Sequence, residues 1–500
     1  MPHPYIIRYD LRRMKRDIGA LTAREHDVVV IGGGVIGAAV AWDAAQRGLS
    51  VALVEACDFA SGTSSNSLKT IHGGLRYLQS LDFTRMRQSV RDRRALLRIA
   101  PELVRPLAVV LPTYGHGKRG REAFAVGLQL NEWLSSDRNR GVPAERAIPA
   151  GRLLSRAQTL ELMPGVDAAG LSGGALWYDA QVSDSERLIL AFLLQAADQG
   201  AAIANYVEVT GLLRDGARVK GVLARDVESG ADVQIRARVV LSAAGPDTEN
   251  VLALAGIERP RVPLLRAVNV VMRRPLLAAH ALAAPASDRY VFMIPWRDRT
   301  LVGTAYQPEG EGSVAETVEA LLRDARQAFA WADLDSGDVV FVHCGLVPGE
   351  RNASGLWSRD IIRDYGHSGV PGLICVVGVK YTTARDVAAQ AVDLVFRSLD
   401  RPVPECRTAL TPLVHARVPG GDVRERTRQT VTSEMARHLS DSVLRRLDLG
   451  AAGPPAPALL SEVAECQATV LDWSDDRIAA ERQTLADRFA LGLKMALPRA

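Results

Sequence analysis

A chain of 500 residues has room for two or three domains, and its 47% hydrophobic and 24% charged content is that of an ordinary globular protein. The formal net charge of +4 is small for this length and forms no basic stripe or tail, which speaks against nucleic acid as a partner. The five cysteines, Cys57, Cys344, Cys375, Cys406 and Cys466, are odd in number and lack CxxC or Cys/His clustering, so a reduced compartment and no metal site are expected.

Residues 1–25 read as a basic arm carrying Arg8, Arg12, Arg13, Lys15, Arg16 and Arg24, with no apolar run of secretory length. If the arm is helical, Leu11, Met14 and Ile18 share a face. Packing of that face on the arm's own domain is preferred over docking on an anionic membrane. The most apolar window, Val28 to Trp42, is too short and too glycine-rich to span a bilayer.

The stretch HDVVVIGGGVIGAAVAWDAAQRGLSVALVEA predicts a strand over Asp27–Ile31, a helix to about Arg47 stopped by Gly48, and a second strand over Val51–Glu55. Gly32, Gly34 and Gly37 form GxGxxG at the first turn. Their roles are a tight turn, close backbone approach to a pyrophosphate, and tight packing of helix on sheet. Glu55 ends the second strand, where an acid accepts hydrogen bonds from ribose hydroxyls, so a dinucleotide site is expected.

The next run, SSNSLKTIHGGLRYL from Ser64 to Leu78, suits neither an amphipathic helix nor an alternating strand. It gathers hydroxyls, Lys69, His72, Gly73, Gly74, Arg76 and Tyr77 in one place, and so reads as a site. The chain has six lysines, at 15, 69, 118, 220, 380 and 494, which makes Lys69 and Lys380 conspicuous inside unusual motifs.

Pro106 to about Gly174 reads as helical and loop-rich. Strands are expected at Val207–Leu213 and Val219–Asp226, joined by the turn RDGAR, and at Val233–Arg236. An apolar strand then ends in Ala-Ala-Gly-Pro, where the small Ala244 and Gly245 admit a ligand or another chain. Pro263 to Cys344 carries strand signals such as YVFMIPW. A strand over Leu373–Val377 then meets a turn containing Gly378 and Lys380, and a helix starts near Thr383, with Thr382 or Thr383 as N-cap. Beyond about Pro402 the pattern is helical, broken by AAGPPAPA.

These residues resemble the FAD-dependent glycerol-3-phosphate dehydrogenases, within the wider D-amino-acid-oxidase-like flavoproteins, over about Asp27 to Leu399. The likeness rests on the glycine turn with Glu55, the run around His72, WYDAQVSDSERL, the AAGP strand end, MIPWRDRTLVGTAY, SRDIIRDYG and VGVKYTTARDVA. It implies an α/β fold: a Rossmann-like FAD-binding domain (26–105, 175–260 and 340–400) interrupted by a mixed α+β substrate domain (106–174 and 261–339), with a C-terminal helical cap (401–500). It further implies noncovalent FAD held by Gly32, Gly34, Gly37, Glu55, Thr63, Ser64, Ser65, Lys69, His72, Gly73, Gly74, Val207, Ala244, Gly245, Gly378, Lys380 and Thr382.

By the same resemblance sn-glycerol 3-phosphate would be oxidised to dihydroxyacetone phosphate, with electrons passed to a quinone or other acceptor. Arg76, Tyr77, Arg363 and Lys380 match substrate-side positions. A cytoplasmic enzyme, peripheral on the inner face of the cell membrane and homodimeric, is compatible with it. Two positions depart from the family: CGLVPG places Val347 where an arginine usually precedes the proline, and VNVVM places Asn269 where a histidine is common. A phosphate ligand and a proton acceptor are thereby in question, and His72 and His343 are the candidate replacement bases. The alternatives are an FAD-dependent enzyme of another hydroxy or amino acid, and a flavoprotein without turnover.

Overall fold

The computed structural model describes residues 14–117, 120–257, 262–286, 289–350, 356–357, 359–417 and 420–496. Two sheets and a C-terminal group of helices organise them. In the first sheet the strands run in the order Ile361–Asp364, Leu373–Val377, Asp232–Ser242, His26–Ile31, Val51–Val54 and Ala202–Ala204. His26–Ile31 pairs in parallel with both its neighbours, and its Val28, Val29 and Val30 are fully buried. Burial on both faces explains why it reads as a continuous apolar run rather than an alternating one.

Helices Val35–Gln46, Ser185–Asp198 and Ala384–Ser398 cover one face of this sheet and share a core with it. Trp42 stacks on Phe192 there, with ring centroids 5.3 Å apart. The antiparallel strands Val207–Asp215 and Arg218–Asp226 extend the sheet and help to cover its other face. The expected strands at Val233–Arg236 and in the AAGP segment are one continuous strand, Asp232–Ser242. Ligands of such sheets bind beyond the carboxyl ends of the parallel strands, here Ile31, Ser242 and Val377.

The second sheet has nine strands and contains Val104–Tyr114, Leu171–Val182 and Val339–Pro348 together with the four strands between Leu264 and Pro308. The segment expected to be helical and loop-rich therefore begins as a long strand. Val104–Tyr114 pairs antiparallel with Leu171–Val182 along nearly its whole length. Its two prolines and irregular polarity hide the strand pattern, and pairing across about 65 residues supplies what local propensity lacks. Leu171–Val182 and Val339–Pro348 lie wholly in the second sheet, as does the short strand Thr70–Ile71, which pairs with Ala180–Gln181. Sequence turn signals mark where a strand begins, not which sheet it joins.

The C-terminal helices Val423–Glu434, Pro457–Leu471 and Asp475–Ala496 surround a small core of Leu439, Val443, Val463, Leu485 and Phe489. Within the stretch beyond Pro402 expected to be helical, SEMARHLSDSVLRRLDLG is broken after Glu434, where Met435 takes a left-handed backbone. A buried ionic network ties this group to the first sheet. Arg445 Nε donates to Asp58 at 2.5 Å and Arg446 Nη2 to the same carboxylate at 2.7 Å, while Tyr206 Oη donates to Asp441 at 2.8 Å. Burial opposes ionisation of Asp58, yet the two guanidiniums hold its carboxyl well below the usual range. A buried charge survives only when paired in this way.

Of the arm's expected apolar face, Leu11 lies outside the described residues. Met14 is buried and Ile18 packs against the core of the first sheet, so both face protein rather than solvent. Arg16 donates to Asp226 and to the Asn205 and Tyr206 carbonyls. No helix among the described residues is long and apolar enough to cross a membrane.

Candidate active site

The glycine turn has the tightness its spacing requires. Gly32 has a φ of +106°, and a Cβ there would lie 2.6 Å from the Ala243 carbonyl oxygen. A Cβ on Gly37 would lie 1.9 Å from the Gly32 carbonyl, so the helix packs directly on the turn. Gly34 is the N-cap of that helix, and the amide of Val35 donates to Ser64 Oγ at 3.0 Å. Glu55 closes the other side: its carboxylate accepts from Gly33 N at 2.6 Å and Cys57 N at 2.9 Å, and burial pushes its pKa up. Val207 N donates to the Glu55 carbonyl at 2.8 Å, and Ala243 N, just before Ala244 and Gly245, donates to that of Ile31. The carboxyl ends of three strands thus converge on one turn.

The run from Ser64 is fastened to both sheets. Thr63 Oγ1 donates to the Leu346 carbonyl at 2.8 Å and Ser65 Oγ to the Gly62 carbonyl at 3.1 Å. Lys69, expected to meet the cofactor, is instead fully buried, with a left-handed backbone. Its ammonium donates to Ser65 O at 2.9 Å, Ser185 Oγ at 2.7 Å and Glu186 at 3.1 Å. Those bonds occupy all three donors. The side chain therefore shapes the run from behind rather than reaching a ligand.

The segment then turns at His72, Gly73 and Gly74. His72 N donates to Thr382 Oγ1 at 3.1 Å, which joins this run to the turn after Val377. Asp179 organises the rest. One carboxylate oxygen accepts from Gly73 N at 2.6 Å and from Arg93 at 3.3 Å, while the other lies 3.1 Å from His72 Nδ1. Although burial works against ionisation, these partners hold its carboxyl below the usual range. A Cβ on Gly73 would strike the Arg93 guanidinium, so a larger residue here would displace Arg93 from Asp179. The His72 side chain is about half exposed, with Nδ1 turned to Asp179. Nε2 is left as the ring nitrogen available to a ligand.

Two cations, Arg76 and Lys380, lie near Tyr77 in sequence or in space. Lys380 Nζ lies 4.1 Å from the centre of the Tyr77 ring, and burial, with the nearby Arg76 charge, lowers its pKa to about 8. The charge of Arg76 also reaches the buried hydroxyl of Tyr306. Neither Arg76 nor Lys380 has a carboxylate within 4 Å among the described residues. Thr383, the N-cap of the following helix, has a buried hydroxyl without a partner among them. At Gly378 a Cβ would collide with Ile36 of the glycine-turn helix, so the two turns close against each other.

Two expected substrate-side residues lie elsewhere. Arg363, on the edge strand Ile361–Asp364, stacks over Tyr365 at 4.9 Å and donates to Ser368 Oγ, away from the Arg76 and Lys380 pair. The neighbouring Arg359 acts electrostatically on Asp82, beside the Tyr77 turn, and Asp360 accepts from Val379 N at 2.7 Å. Of the two arginines in SRDIIRDYG, the first is therefore the one whose charge reaches the loop after the Tyr77 turn. His343 is buried between the Trp296 and Phe341 rings, and burial plus the charges of Lys69 and Arg297 push its pKa well below the ordinary value. An imidazole so placed is kept neutral.

Asn269 is buried opposite His343 in the second sheet, and its side-chain oxygen accepts from Thr304 Oγ1 at 2.7 Å. Val347 sits beside Leu346, whose amide meets Thr63 Oγ1. Sequence reasoning did not single out Asp179, Arg359 or Tyr306. An acid inside the otherwise apolar strand LSGGALWYDAQV was the available signal for Asp179.

Residues 27–385 match the family model described as FAD dependent oxidoreductase. A curated glycerol-3-phosphate dehydrogenase of Synechocystis sp. is 33% identical over 446 residues, covering 84% of this chain and 78% of that protein. One of Mycobacterium leprae is 32% identical, covering 92% and 87%. Against mitochondrial glycerol-3-phosphate dehydrogenases such as that of Mesocricetus auratus, the chain spans about half the relative's length, 54%. The solved glycerol-3-phosphate dehydrogenase of Bacillus halodurans with FAD superposes at a TM-score of 0.73, with 23% identity and 96% of each chain covered.

Proposed function

The chain belongs to the FAD dependent oxidoreductase family, among the glycerol-3-phosphate dehydrogenases, and from that premise we propose that it oxidises the secondary alcohol of sn-glycerol 3-phosphate to dihydroxyacetone phosphate. In this proposal the first sheet carries the cofactor, the second the substrate, and the C-terminal helices cap them. The residues fit FAD. Gly32 and Gly37 make the tight turn and close helix packing of a dinucleotide fingerprint, Glu55 ends the second strand beside that turn as the acid that would accept from ribose hydroxyls, and the unpartnered Thr383 hydroxyl lies at the second turn.

When bound, FAD takes up the hydride and returns the electrons to an acceptor, for which we propose a quinone. The chain's own part is positioning and proton handling. The observation that carries the proposal is the pair of cations, Lys380 over the Tyr77 ring and Arg76 close enough to lower its pKa, neither with a carboxylate partner among the described residues. A phosphate monoester, with close to two negative charges, supplies what they lack. Arg359 adds positive charge from the neighbouring segment. His72 Nε2 would take the hydroxyl proton, with Asp179 fixing the ring and stabilising the imidazolium that forms. Asn269, satisfied by Thr304, has no proton-accepting role in this scheme.

The enzyme is proposed to be cytoplasmic and peripheral at the membrane, through the exposed apolar side chains Leu81, Phe83, Val126 and Trp133 close to the Tyr77 turn. The test of function is anaerobic. Glycerol 3-phosphate should bleach the flavin, a short-chain quinone should restore its colour, and glycerol should be far slower. Fast bleaching by an unphosphorylated hydroxy or amino acid, with glycerol 3-phosphate inert, would establish the alternative substrate class.

A further inference from the structure

We propose that a cavity between the sheets and the C-terminal helices is a binding site for a small organic phosphate, separate from the candidate active site. Its volume is about 420 Å³, and Ser183, Asp184, Arg297, Arg417, Arg426 and Asp448 are among the residues lining it. None of Gly32, Glu55, His72, Arg76 or Lys380 belongs to its walls. That volume falls within the range of small-ligand pockets.

The charges decide the ligand class. Arg297 is tied to Asp448, and Arg446, on the inner wall, directs its donors to Asp58 and the Glu434 carbonyl. Two cations remain. Arg426 donates only to the Leu447 carbonyl, at 3.2 Å, and Arg417 stands exposed at the rim. Neither has a carboxylate within 4 Å among the described residues. On the acidic side, Asp184 caps the helix Ser185–Asp198 by accepting from Arg187 N at 2.8 Å. Burial, together with Asp448 and Glu186, pushes its pKa well up, towards the neutral acid. Glu102 is the acid left exposed at the rim.

The cavity thus offers two guanidiniums with donors to spare, while the Ser183 hydroxyl and amide are already spent on the Leu103 carbonyl. This donor-rich set matches phosphate oxygens rather than an amine or an apolar ligand. Its wall also backs the run that lines the candidate active site: Trp296 Nε1 donates to the Ser183 carbonyl, while Arg297 lies over the Trp296 ring at 4.1 Å and Lys69 at 5.5 Å.

The test is calorimetric titration of FAD-loaded protein with pyrophosphate and with inorganic phosphate. Arg76→Met and Lys380→Met are included to silence the proposed catalytic anion site. Pyrophosphate should bind at one site in this background, more tightly than phosphate. Arg417→Glu and Arg426→Met, made separately, should each weaken it at least tenfold. Arg417 is exposed and makes no hydrogen bond to another described residue, so its variant is expected to fold, as flavin absorbance and circular dichroism would verify. Absence of binding at millimolar pyrophosphate, or an affinity in either variant unchanged from that of the Arg76→Met, Lys380→Met background, would overturn the proposal. Failure of glycerol 3-phosphate to bleach the flavin would instead count against the catalytic proposal and leave this titration interpretable.

Discussion

Lys380 joins local sequence to site chemistry. It was legible because it is one of six lysines and lies between a strand and a helix N-cap, features that need no distant partner. Burial and Arg76 lower its pKa to about 8, so the side chain is cationic below that value and loses its charge above it. The sign for stability is unfavourable: confining the cation costs stability below about pH 8, and the cost fades as pH rises towards the ordinary value of 10.5. For a phosphorylated substrate the sign is opposite, because affinity is lost with the charge. KM for glycerol 3-phosphate should therefore rise as pH passes about 8. Losing the charged contact should cost roughly 1.5–3 kcal/mol, about ten- to a hundredfold in kcat/KM. In Lys380→Met the low efficiency should be independent of pH over this range, and an inflection that survives the substitution would assign it to another group.

Asp179 shows why other residues were not legible. Its partners His72 and Gly73 lie more than a hundred positions away, and only the antiparallel pairing of Thr70–Ile71 with Ala180–Gln181 brings them together. The two arginines of SRDIIRDYG differ for a related reason. Sequence distinguishes them weakly, whereas the strand Ile361–Asp364 carries Arg363 along the sheet edge and leaves Arg359 before it, at the turn held by Asp360 and Val379.

Between elements, the junction of the C-terminal helices with the hairpin after Arg218–Asp226 depends on one imidazole. His438 Nδ1 lies 2.8 Å from Glu481 and Nε2 3.0 Å from Glu228, so a protonated ring donates to both. Burial alone would lower its pKa, but the two carboxylates and the Asp441 charge outweigh burial and raise it to about 9. Arg437 and Arg477 are the cations close by, and the Tyr206 ring meets it edge-on at 4.7 Å. With a folded pKa above the unfolded 6.5, the stabilisation is fully present below about pH 6.5 and is lost as pH rises through about 9. The thermal midpoint should fall across that window, and His438→Gln should start lower and vary less. Parallel curves for the two proteins would place the pH dependence elsewhere. Such a tie was invisible in the sequence, since Glu228, His438 and Glu481 belong to three segments with no local motif.

At the scale of the whole molecule, the surface is uneven in a way the small net charge does not suggest. Leu81 is 68% exposed, Phe83 41%, Val126 68% and Trp133 74%. Val126 and Trp133 are seven residues apart and share a face of the helix Arg121–Leu134, which packs against the Leu75–Ser80 turn bearing Arg76 and Tyr77. Leu81 and Phe83 follow that turn directly. Isolated exposed apolar residues need no explanation, but a tryptophan in a group beside the mouth of the candidate site does. A lipid surface fits the composition, because tryptophan favours the membrane interface and an electron acceptor dissolved in lipid would then meet the site. The basic arm is the poorer candidate, since Met14 and Ile18 are spent on the protein's own core. Full burial of a valine or larger apolar side chain is worth about 1.5–3 kcal/mol, and shallow insertion recovers part of it. Val126→Ser with Trp133→Ser should therefore reduce co-sedimentation with anionic phospholipid vesicles by about tenfold or more, while flavin content and bleaching by glycerol 3-phosphate stay as in the parent. If the parent does not sediment with vesicles, or the double variant sediments equally, the apolar rim is not a membrane contact and the acceptor must reach the site from solution.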